Sequence, residues 1–331
     1  MNIGKLPPDV LTRLLSHTRT DPSVIIGPAY GEDAAAVRFG GNVLVAAADP
    51  ITFTTDRIGR YAVSVNANDI AVLGATPRYF LATILLPEGS AESDAESVFN
   101  DIERACREID VTLIGGHTEI TSTVGQTVVS GCMLGEADER NLIRTGGARV
   151  GDALLLAGGI AIEGAAILAR ESRDELLTRG VDEAVIDRAE RFLDDPGICI
   201  LRYAQIATAS GGVTAMHDPT EGGLATGIRE LASASGKGLC INRDAIPILP
   251  ECRAICDALG IDPLGLIASG SLLITAQPDS AESILAAFER AGVPARQVGI
   301  VTEDKGICFT DGAPVPTFPR DEIARYLDEQ K

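Results

Sequence analysis

Residues 217–232, HDPTEGGLATGIRELA, place an acid, a proline and two glycines directly before an amphipathic helical pattern. The residues just ahead, VTAMH, are typical of a strand, so the stretch predicts a strand, a glycine turn and a helix in succession. Gly222 and Gly223 would leave backbone N–H groups bare at the start of the helix, where a phosphate group can bind. Asp218 could bring a metal ion to that phosphate, and ordinary turn and cap chemistry explains the same residues equally well.

The first half of the chain has the same alternation of strands and helices. A strand over residues 43–49 is predicted to end on Asp49, and a second strand runs from about 79 to 86. Ser90 is predicted to cap a helix whose apolar stripe is Val98, Ile102, Ala105 and Ile109. Two further strands, VTLIGG and TVVSGCML, close this half before the turn-rich segment around Thr145.

The second half predicts strands at DALLLAG, GLCIN and SLLITA, separated by helices over about 162–193, 197–209, 250–259 and 279–291. Two short strands are predicted near the end of the sequence. Because strands and helices interleave in both halves, we predict an α/β or α+β fold. A chain of 331 residues is long for one core, and we predict two domains, residues 1–145 and 146–331.

The composition describes a soluble globular protein, with 45% hydrophobic and 23% charged residues. A net charge of −19 and only four lysines argue against nucleic acid or anionic lipid as a partner. No apolar run reaches the roughly 18 residues that span a bilayer, and the start has no signal-peptide core. We therefore expect a cytoplasmic protein, in which Mg²⁺ would allow an acidic site to bind a polyanion.

Seven cysteines without a CxxC pair argue against a disulfide framework. Cys252 and Cys256 stand four residues apart in a helical pattern. We interpret them as two small buried apolar residues, with a metal site or redox pair as the alternative.

Acidic and amide side chains follow predicted strands and glycine turns at several places. These positions are Asp33 after Gly31, Asp49, Asp69 with Asn66 and Asn68, Glu119 after GGHT, and Asp218. Because carboxylates at strand ends meet at one edge of a parallel sheet, we expect them to gather around a cation. Oxygen ligands suit Mg²⁺ or Ca²⁺, and Mg²⁺ usually shares its shell with phosphates. The pattern predicts a Mg²⁺-nucleotide site, with turn or cap roles as the alternative for Asp33 and Asp49.

His117 and His217 both border a glycine or acid loop after a predicted strand. They could bind a metal ion together, hydrogen-bond a phosphate or a neighbouring carboxylate, or serve a structural role only.

These segments together resemble the aminoimidazole-ribonucleotide (AIR) synthetase, or PurM, superfamily. The resemblance is carried in order by GPAYGEDAAAV, the strand to Asp49, NANDIAVLGATP, IGGHTE, GGARVGDALLLAGGIAIEGAAILA and HDPTEGGLATGIRELA. The later segments INRDAIPI and LGIDPLGLIASGSLLI are most similar to the hydrogenase-maturation group HypE. The resemblance covers nearly the whole sequence.

The resemblance implies a two-domain PurM-like fold, homodimers formed through the N-terminal sheets, and ATP bound with Mg²⁺. By position, the metal candidates are Asp33, Asp49, Asp69, Glu119 and Asp218. The candidates for binding ATP are Lys5, Gly31, Asn68, His117, Thr118, Gly222 and Gly223. No side-chain nucleophile is implied.

Two departures from the HypE pattern bear on the activity. Many relatives have an acid after the paired glycines where this chain has His117, with Glu119 two residues on. The group ends in a cysteine that carries the carbamoyl group, whereas this sequence ends YLDEQK, so reaction on a thiol of its own is not expected.

We therefore expect an ATP-dependent enzyme that activates an oxygen of a small molecule or of a group carried by a maturation partner protein. A nucleotide-binding scaffold without turnover and a thiamine-monophosphate kinase are the alternatives.

Overall fold

The computed structural model describes residues 5–19 and 21–329. Contacts divide the chain into two units. The N-terminal unit is Thr20–Gly27 with Asp33–Leu142, and the C-terminal unit is Met1–Arg19, Pro28–Glu32 and Ile143–Lys331. The sequence predicts one domain over residues 1–145, which includes Met1–Arg19 and Pro28–Glu32. By contacts, these two segments group with the C-terminal unit. Position along the sequence does not fix the core on which a segment packs.

The chain begins with helix α1 (Pro8–Leu15), which belongs to the C-terminal unit. The elements of the N-terminal unit follow in chain order: β1 (Val24–Ile26), β2 (Ala35–Phe39), β3 (Asn42–Ala47), β4 (Pro50–Ile51), α2 (Ile58–Val72), β5 (Thr76–Pro87), α3 (Glu92–Glu108), β6 (Thr112–Thr121) and β7 (Val128–Ala137). Their strands form one sheet in the order β1-β2-β3-β7-β5-β6, with β4 paired to β7.

Only the β5–β6 pair of this sheet is parallel. The other pairings, such as β3 with β7 and β5 with β7, are antiparallel. Neighbouring antiparallel strands end at opposite edges of a sheet, so the expectation that strand ends bring all the acids to one edge does not hold.

Helix α2 lies against β7 and is buried at every residue except Arg60. Two glycines of β7 make the close approach possible. A Cβ atom at Gly135 would lie 2.4 Å from Cγ2 of Ile70, and one at Gly131 would lie 2.5 Å from Nδ2 of Asn66. The alanines and valines of α2 are explained by this packing, because a helix buried on all sides has no polar face.

Gly131→Ala is expected to destabilise the protein by about 2–3 kcal/mol, because the new methyl group would press on Asn66 and on the Phe80 ring. Urea unfolding of the variant and the wild type measures this change. Gly125→Ala is the matched control, since a Cβ atom there meets nothing within 4 Å. Equal losses of stability in the two variants would refute the packing argument.

Helix α3 confirms three members of the predicted stripe, Val98, Ile102 and Ala105, which are buried; the fourth, Ile109, is the half-buried C-cap residue just after the helix. The predicted cap is wrong by one residue. The N-cap is Ala91, whose backbone N–H donates to Oδ2 of Asp94 at 2.8 Å. Ser90 donates its hydroxyl to the Pro87 carbonyl at 2.8 Å, so it closes the preceding turn and does not cap the helix.

The C-terminal unit continues with β8 (Ala153–Ala157), α4 (Ile162–Glu171), α5 (Arg173–Thr178), α6 (Glu183–Ala189), α7 (Leu201–Ser210), β9 (Val213–His217), α8 (Gly223–Ser235), β10 (Gly238–Ile241), α9 (Pro250–Leu259), β11 (Leu272–Ala276), α10 (Pro278–Arg290), β12 (Ala295–Thr302), β13 (Ile307–Phe309) and α11 (Glu322–Glu329). The strands form a second sheet in the order β13-β10-β12-β8-β11-β9. Mixed α/β architecture with two sheets is therefore confirmed.

A hydrophobic core lies between this sheet and α8, and it includes Leu154, Leu156, Leu224, Ile228 and Leu273.

The helix predicted over 162–193 is three shorter helices, and α11 was not predicted. Cys252 and Cys256 are fully buried, as expected for small apolar residues. Among helices in residues 5–19 and 21–329, none is both long and apolar enough to span a membrane.

Candidate functional site

Asp49 of the N-terminal unit lies two residues beyond β3, and its backbone is held by the side chain of Asn66 on α2. The Asp49 N–H donates to Oδ1 of Asn66 at 2.9 Å, and Nδ2 of Asn66 donates to the Asp49 carbonyl at 3.1 Å. The same carbonyl accepts from the Gly131 N–H at 3.0 Å. Three hydrogen bonds thus fix the backbone from which the Asp49 carboxylate projects.

Helix α2 carries two further polar residues of the predicted set. Asn68 is fully buried, and the exposed fraction of Asp69 is 5%. Burying a carboxylate costs several kcal/mol unless partners compensate it. Asp69, three residues after Asn66, is therefore unusual in a helix made mostly of small apolar residues. Asp33 lies in the loop before β2 and is half-buried. The predicted metal ligands Asp33, Asp49 and Asp69 all belong to this unit.

His117, Thr118 and Glu119 were predicted to follow a strand, and this placement is wrong. All three lie inside β6, which continues to Thr121. Gly115 and Gly116, taken as a turn, pair in register with Leu81 and Ala82 of β5. A Cβ atom at Gly116 would lie 1.9 Å from the Ala82 carbonyl oxygen. Gly116 thus allows close pairing with β5, whereas a Cβ atom at Gly115 would meet nothing within 4 Å.

A cavity of about 300 Å³ lies beside β6 and is lined in part by Phe99, Leu113, His117 and Thr118. The His117 Nε2 atom lies 3.1 Å from Oε2 of Glu119, and both side chains are exposed. His117 therefore has a carboxylate partner on its own strand, one of the roles predicted for it.

The turn before α8 in the C-terminal unit corrects the opening prediction. The Gly222 N–H donates to Oδ2 of Asp321 at 2.6 Å, and the Gly223 N–H donates to the Thr220 carbonyl at 3.0 Å. Neither group is bare. Oδ1 of Asp321 also accepts from the N–H groups of Ile323 at 2.8 Å and Ile267 at 3.3 Å. A carboxylate of the protein thus occupies the helix start where an anion was expected.

The need for glycine at this turn is conformational and steric. Gly222 and Gly223 have φ values of 84° and 65°, which favour glycine. A Cβ atom at Gly223 would lie 2.5 Å from the Leu264 carbonyl oxygen. The Leu264 carbonyl also accepts a hydrogen bond from the Ala225 N–H at 2.9 Å. Leu264 therefore packs directly against the first turn of α8.

Glu230 of α8 forms a charge cluster with His217, the last residue of β9, and with the exposed Lys5. The His217 Nε2 atom is 3.0 Å from Oε2 of Glu230, and the Lys5 Nζ atom is 3.5 Å from Oε1. Lys5 also donates from Nζ to the Thr220 hydroxyl at 3.3 Å and from its backbone N–H to Glu221 at 3.0 Å. His217 and Glu230 have exposed fractions of 2% and 5%, and Asp218 beside them of 1%.

Gly31 packs against this cluster. A Cβ atom there would lie 2.9 Å from the Glu230 carbonyl oxygen, and its φ is 87°. Neighbouring Tyr30 has a raised pKa, caused by burial first and by the charge of Glu230 second. Three predicted residues, Lys5, Gly31 and Asp218, are thus found near one helix of the C-terminal unit.

Glu230→Gln is expected to remove part of the resistance to acid. Burial acts to raise the pKa of Glu230, but Lys5 and His217 hold it at about 2. A lowered pKa contributes stability that is present above the unfolded value of about 4.5 and is lost as the pH falls toward 2. The shift corresponds to about 3 kcal/mol at neutral pH.

Urea unfolding between pH 7 and pH 3 tests this expectation. The variant should be less stable than the wild type at pH 7, and the difference should shrink as the pH falls. Glu282→Gln, on the exposed face of α10, should change nothing. A difference that is constant with pH would contradict the assignment.

Two buried acids of the C-terminal unit were missed in the sequence, Glu163 at the start of α4 and Asp321. Burial raises the pKa of Glu163 to about 7; Ser269 lowers it and Asp321 raises it further. Burial likewise raises the pKa of Asp321 to about 7, against the three N–H donors. The Oε2 atom of Glu163 has no hydrogen-bond partner among the described residues. The Glu163 carboxyl is therefore suited to exchange a proton near neutral pH.

Residues 31–137 match the family described as AIR synthase related protein, N-terminal domain, and residues 149–311 match the corresponding C-terminal domain. The chain belongs to the AIR synthase related family. Within the family it is 33% identical over 309 residues to a Methanocaldococcus jannaschii protein named for hydrogenase expression and formation, covering 90% of this chain and 88% of that one. It is 34% identical over 284 residues to carbamoyl dehydratase HypE of Cupriavidus necator, covering 83% and 78%.

A solved structure of hydrogenase maturation protein HypE in complex with ATP is similar to this AIR synthase related chain. The TM-score is 0.72 at 25% identity, and the match covers 90% of this chain and 92% of the other. The PurM-like fold and the similarity to HypE, both expected from the motifs, are confirmed.

Proposed function

We propose that this protein binds ATP with Mg²⁺ and uses it to activate an oxygen atom by phosphorylation, in the maturation of a metallocentre such as that of a hydrogenase. The observation that carries the proposal is the Asp49 backbone clamped by Asn66, with Asn68 and Asp69 buried on the same helix. The similarity to carbamoyl dehydratases named HypE and to a HypE bound to ATP supports it.

The residues present suit Mg²⁺ chemically. Asp33, Asp49 and Asp69 offer hard carboxylate oxygens, and Asn68 offers an amide oxygen, which are the donors that Mg²⁺ prefers. The ion would neutralise negative charge on the phosphates of ATP. Rigid anchoring matters because phosphoryl transfer depends mainly on placement and electrostatics.

In the C-terminal unit we propose Asp218 as a metal ligand and Lys5 and Gly31 as contacts to ATP. Gly222 and Gly223 contribute by holding the turn, since their N–H groups already have partners. In the N-terminal unit we retain His117 and Thr118 as nucleotide contacts and Glu119 as a metal ligand, on the basis of the family motif. No side chain needs to act as a nucleophile.

We further propose that the protein is a homodimer formed through the N-terminal sheet. Strand β6 is the last strand of that sheet and exposes Ile114 and Ile120, with exposed fractions of 50% and 59%. The register of β6 against β5 shifts between Leu113 and Gly115, so Ile114 lies at a bulge of this outer strand. A pair of exposed isoleucines on an edge strand favours burial against a second copy.

The double variant Ile114→Lys with Ile120→Lys is expected to be monomeric, because burying two unpaired charges in the proposed interface would cost several kcal/mol each. Light scattering after gel filtration should give a mass near 34.5 kDa, against twice that value for the wild type. Phe39→Lys, at another exposed apolar residue, is the control and should remain dimeric. A monomeric wild type would contradict the proposal.

The deciding experiment measures binding and hydrolysis of ATP with and without Mg²⁺, followed by a search for a phosphorylated acceptor. Hydrolysis that requires Mg²⁺ supports the enzyme. Tight ATP binding without turnover, even with partner proteins added, supports the scaffold. Phosphate transfer to thiamine monophosphate would replace the proposal with the kinase alternative.

A further inference from the structure

Two cysteines of the C-terminal unit lie side by side on neighbouring strands. Strands β10 and β13 are parallel, and Cys240 pairs in register with Cys308. The flanking pairs are Leu239 with Ile307 and Ile241 with Phe309. The two strands belong to parts of the sequence 68 residues apart, so the cysteines are adjacent only through the fold.

The alternation of side chains places both cysteines on the face of the sheet away from the core. Leu239, Ile241 and Phe309 are buried in the hydrophobic core. Because successive side chains of a strand point to opposite faces, Cys240 and Cys308 point the other way. Both are half-buried, and both are free thiols. Solvent can therefore reach this face.

The surroundings support close approach of the two sulfur atoms. Burial raises the pKa of Cys240, and Cys308 raises it further. On the other side of Cys240, the register partner on β12 is Ile300, whose exposed fraction is 46%. The face around the cysteines is thus open and apolar, with no acid or base in register beside Cys240.

We propose that Cys240 and Cys308 are a reversible dithiol site that small-molecule disulfides oxidise. Neighbouring strands are about 4.8 Å apart, within the range of about 4.4–6.8 Å between the Cα atoms of a disulfide. Both cysteines are only half-buried, so small thiols can reach the bond and reduce it.

The exchange balances in two steps. One cysteine thiolate attacks the small disulfide, forms a mixed disulfide and releases one small thiol. The second cysteine thiolate then attacks the protein sulfur of the mixed disulfide, forms the Cys240–Cys308 bond and releases the second small thiol. The protein loses two electrons and two protons, and the small disulfide is reduced to two thiols.

Strand β13 has only three residues and is the outermost strand of its sheet. A covalent link to β10 would hold this short strand to its neighbour.

The test incubates the full-length protein with oxidised glutathione and maps the products by mass spectrometry. We expect two of the seven thiols to disappear, a cross-linked peptide joining residues 240 and 308, and full reversal by dithiothreitol. Cys252 and Cys256, fully buried in α9, are internal controls that should remain thiols. The oxidised protein should unfold at a temperature several degrees higher than the reduced protein.

The variants Cys240→Ser and Cys308→Ser complete the test. Each should lose the cross-link and the thermal shift, and the remaining cysteine should carry a glutathione adduct. Unreacted thiols at both positions in the wild type, or glutathione adducts on both without a cross-link, would overturn the proposal. These two outcomes are measured by mass spectrometry on the folded wild-type protein. The wild-type result therefore decides the question even if a variant fails to fold.

Discussion

Asp69→Ala is expected to weaken Mg²⁺-dependent ATP binding by about 100-fold, equivalent to about 3 kcal/mol, and to abolish measurable turnover. The exposed fraction of Asp69 is only 5%. Asp69 lies on α2, the helix whose Asn66 side chain hydrogen-bonds the Asp49 backbone. Under the proposed function Asp69 is a ligand of Mg²⁺, so the variant would bind the cation, and with it the phosphates of ATP, more weakly. The effect is large because charges interact more strongly out of water. Titration calorimetry with ATP, with and without Mg²⁺, measures the change.

The control for Asp69→Ala is Glu96→Ala, an exposed acid on α3 of the same unit, which should bind ATP normally. Asp69→Asn separates charge from shape, since it retains the volume and one oxygen ligand. It should lose most of the Mg²⁺ dependence while keeping the wild-type urea midpoint. Wild-type affinity in Asp69→Ala would remove Asp69 from the proposed metal site.

The fold could be predicted where each element carries its own pattern. The stripe of Val98, Ile102 and Ala105 predicts α3 because a surface helix records its buried face in its spacing. Helix α2 could not be predicted in this way, because a helix buried on nearly every side shows no alternation of apolar and polar faces. The length of strand β6 could not be predicted, because Gly115 and Gly116 are typical of a turn, although both pair with β5 and Gly116 lies close to the Ala82 carbonyl.

The candidate site was predictable in its residue types and much less in its contacts. Asp49 and Asp69 stood out because acids are rare among small apolar residues. The role of Asn66 depends on a partner 17 residues away, and Asp321 meets Gly222 across 99 residues. No local pattern records such pairings. The two glycines before α8 predicted a turn correctly, but only the structure shows that a carboxylate of the protein occupies its N–H groups.

Asp321→Ala is expected to destabilise the C-terminal unit by about 3–5 kcal/mol. The carboxylate accepts three backbone N–H groups, from Gly222, Ile267 and Ile323. Alanine would leave these donors buried without an acceptor, at a cost of about 1–3 kcal/mol each before relaxation. Urea unfolding followed by a probe in this unit measures the loss, and hydrogen exchange at Gly222 should accelerate with it.

Asp321→Asn distinguishes the hydrogen bonds from the charge. The amide keeps one acceptor oxygen and nearly the same volume, so it should lose less stability than alanine. Neither variant titrates at this position, so both losses should change with pH in the same way, following the raised pKa of Asp321 in the wild type. Glu303→Ala, at an exposed site of the same unit, should leave stability unchanged. If asparagine and alanine destabilise equally, one acceptor oxygen is not enough to hold the turn. If neither destabilises, the start of α8 does not depend on Asp321, and the three hydrogen bonds contribute little to its stability.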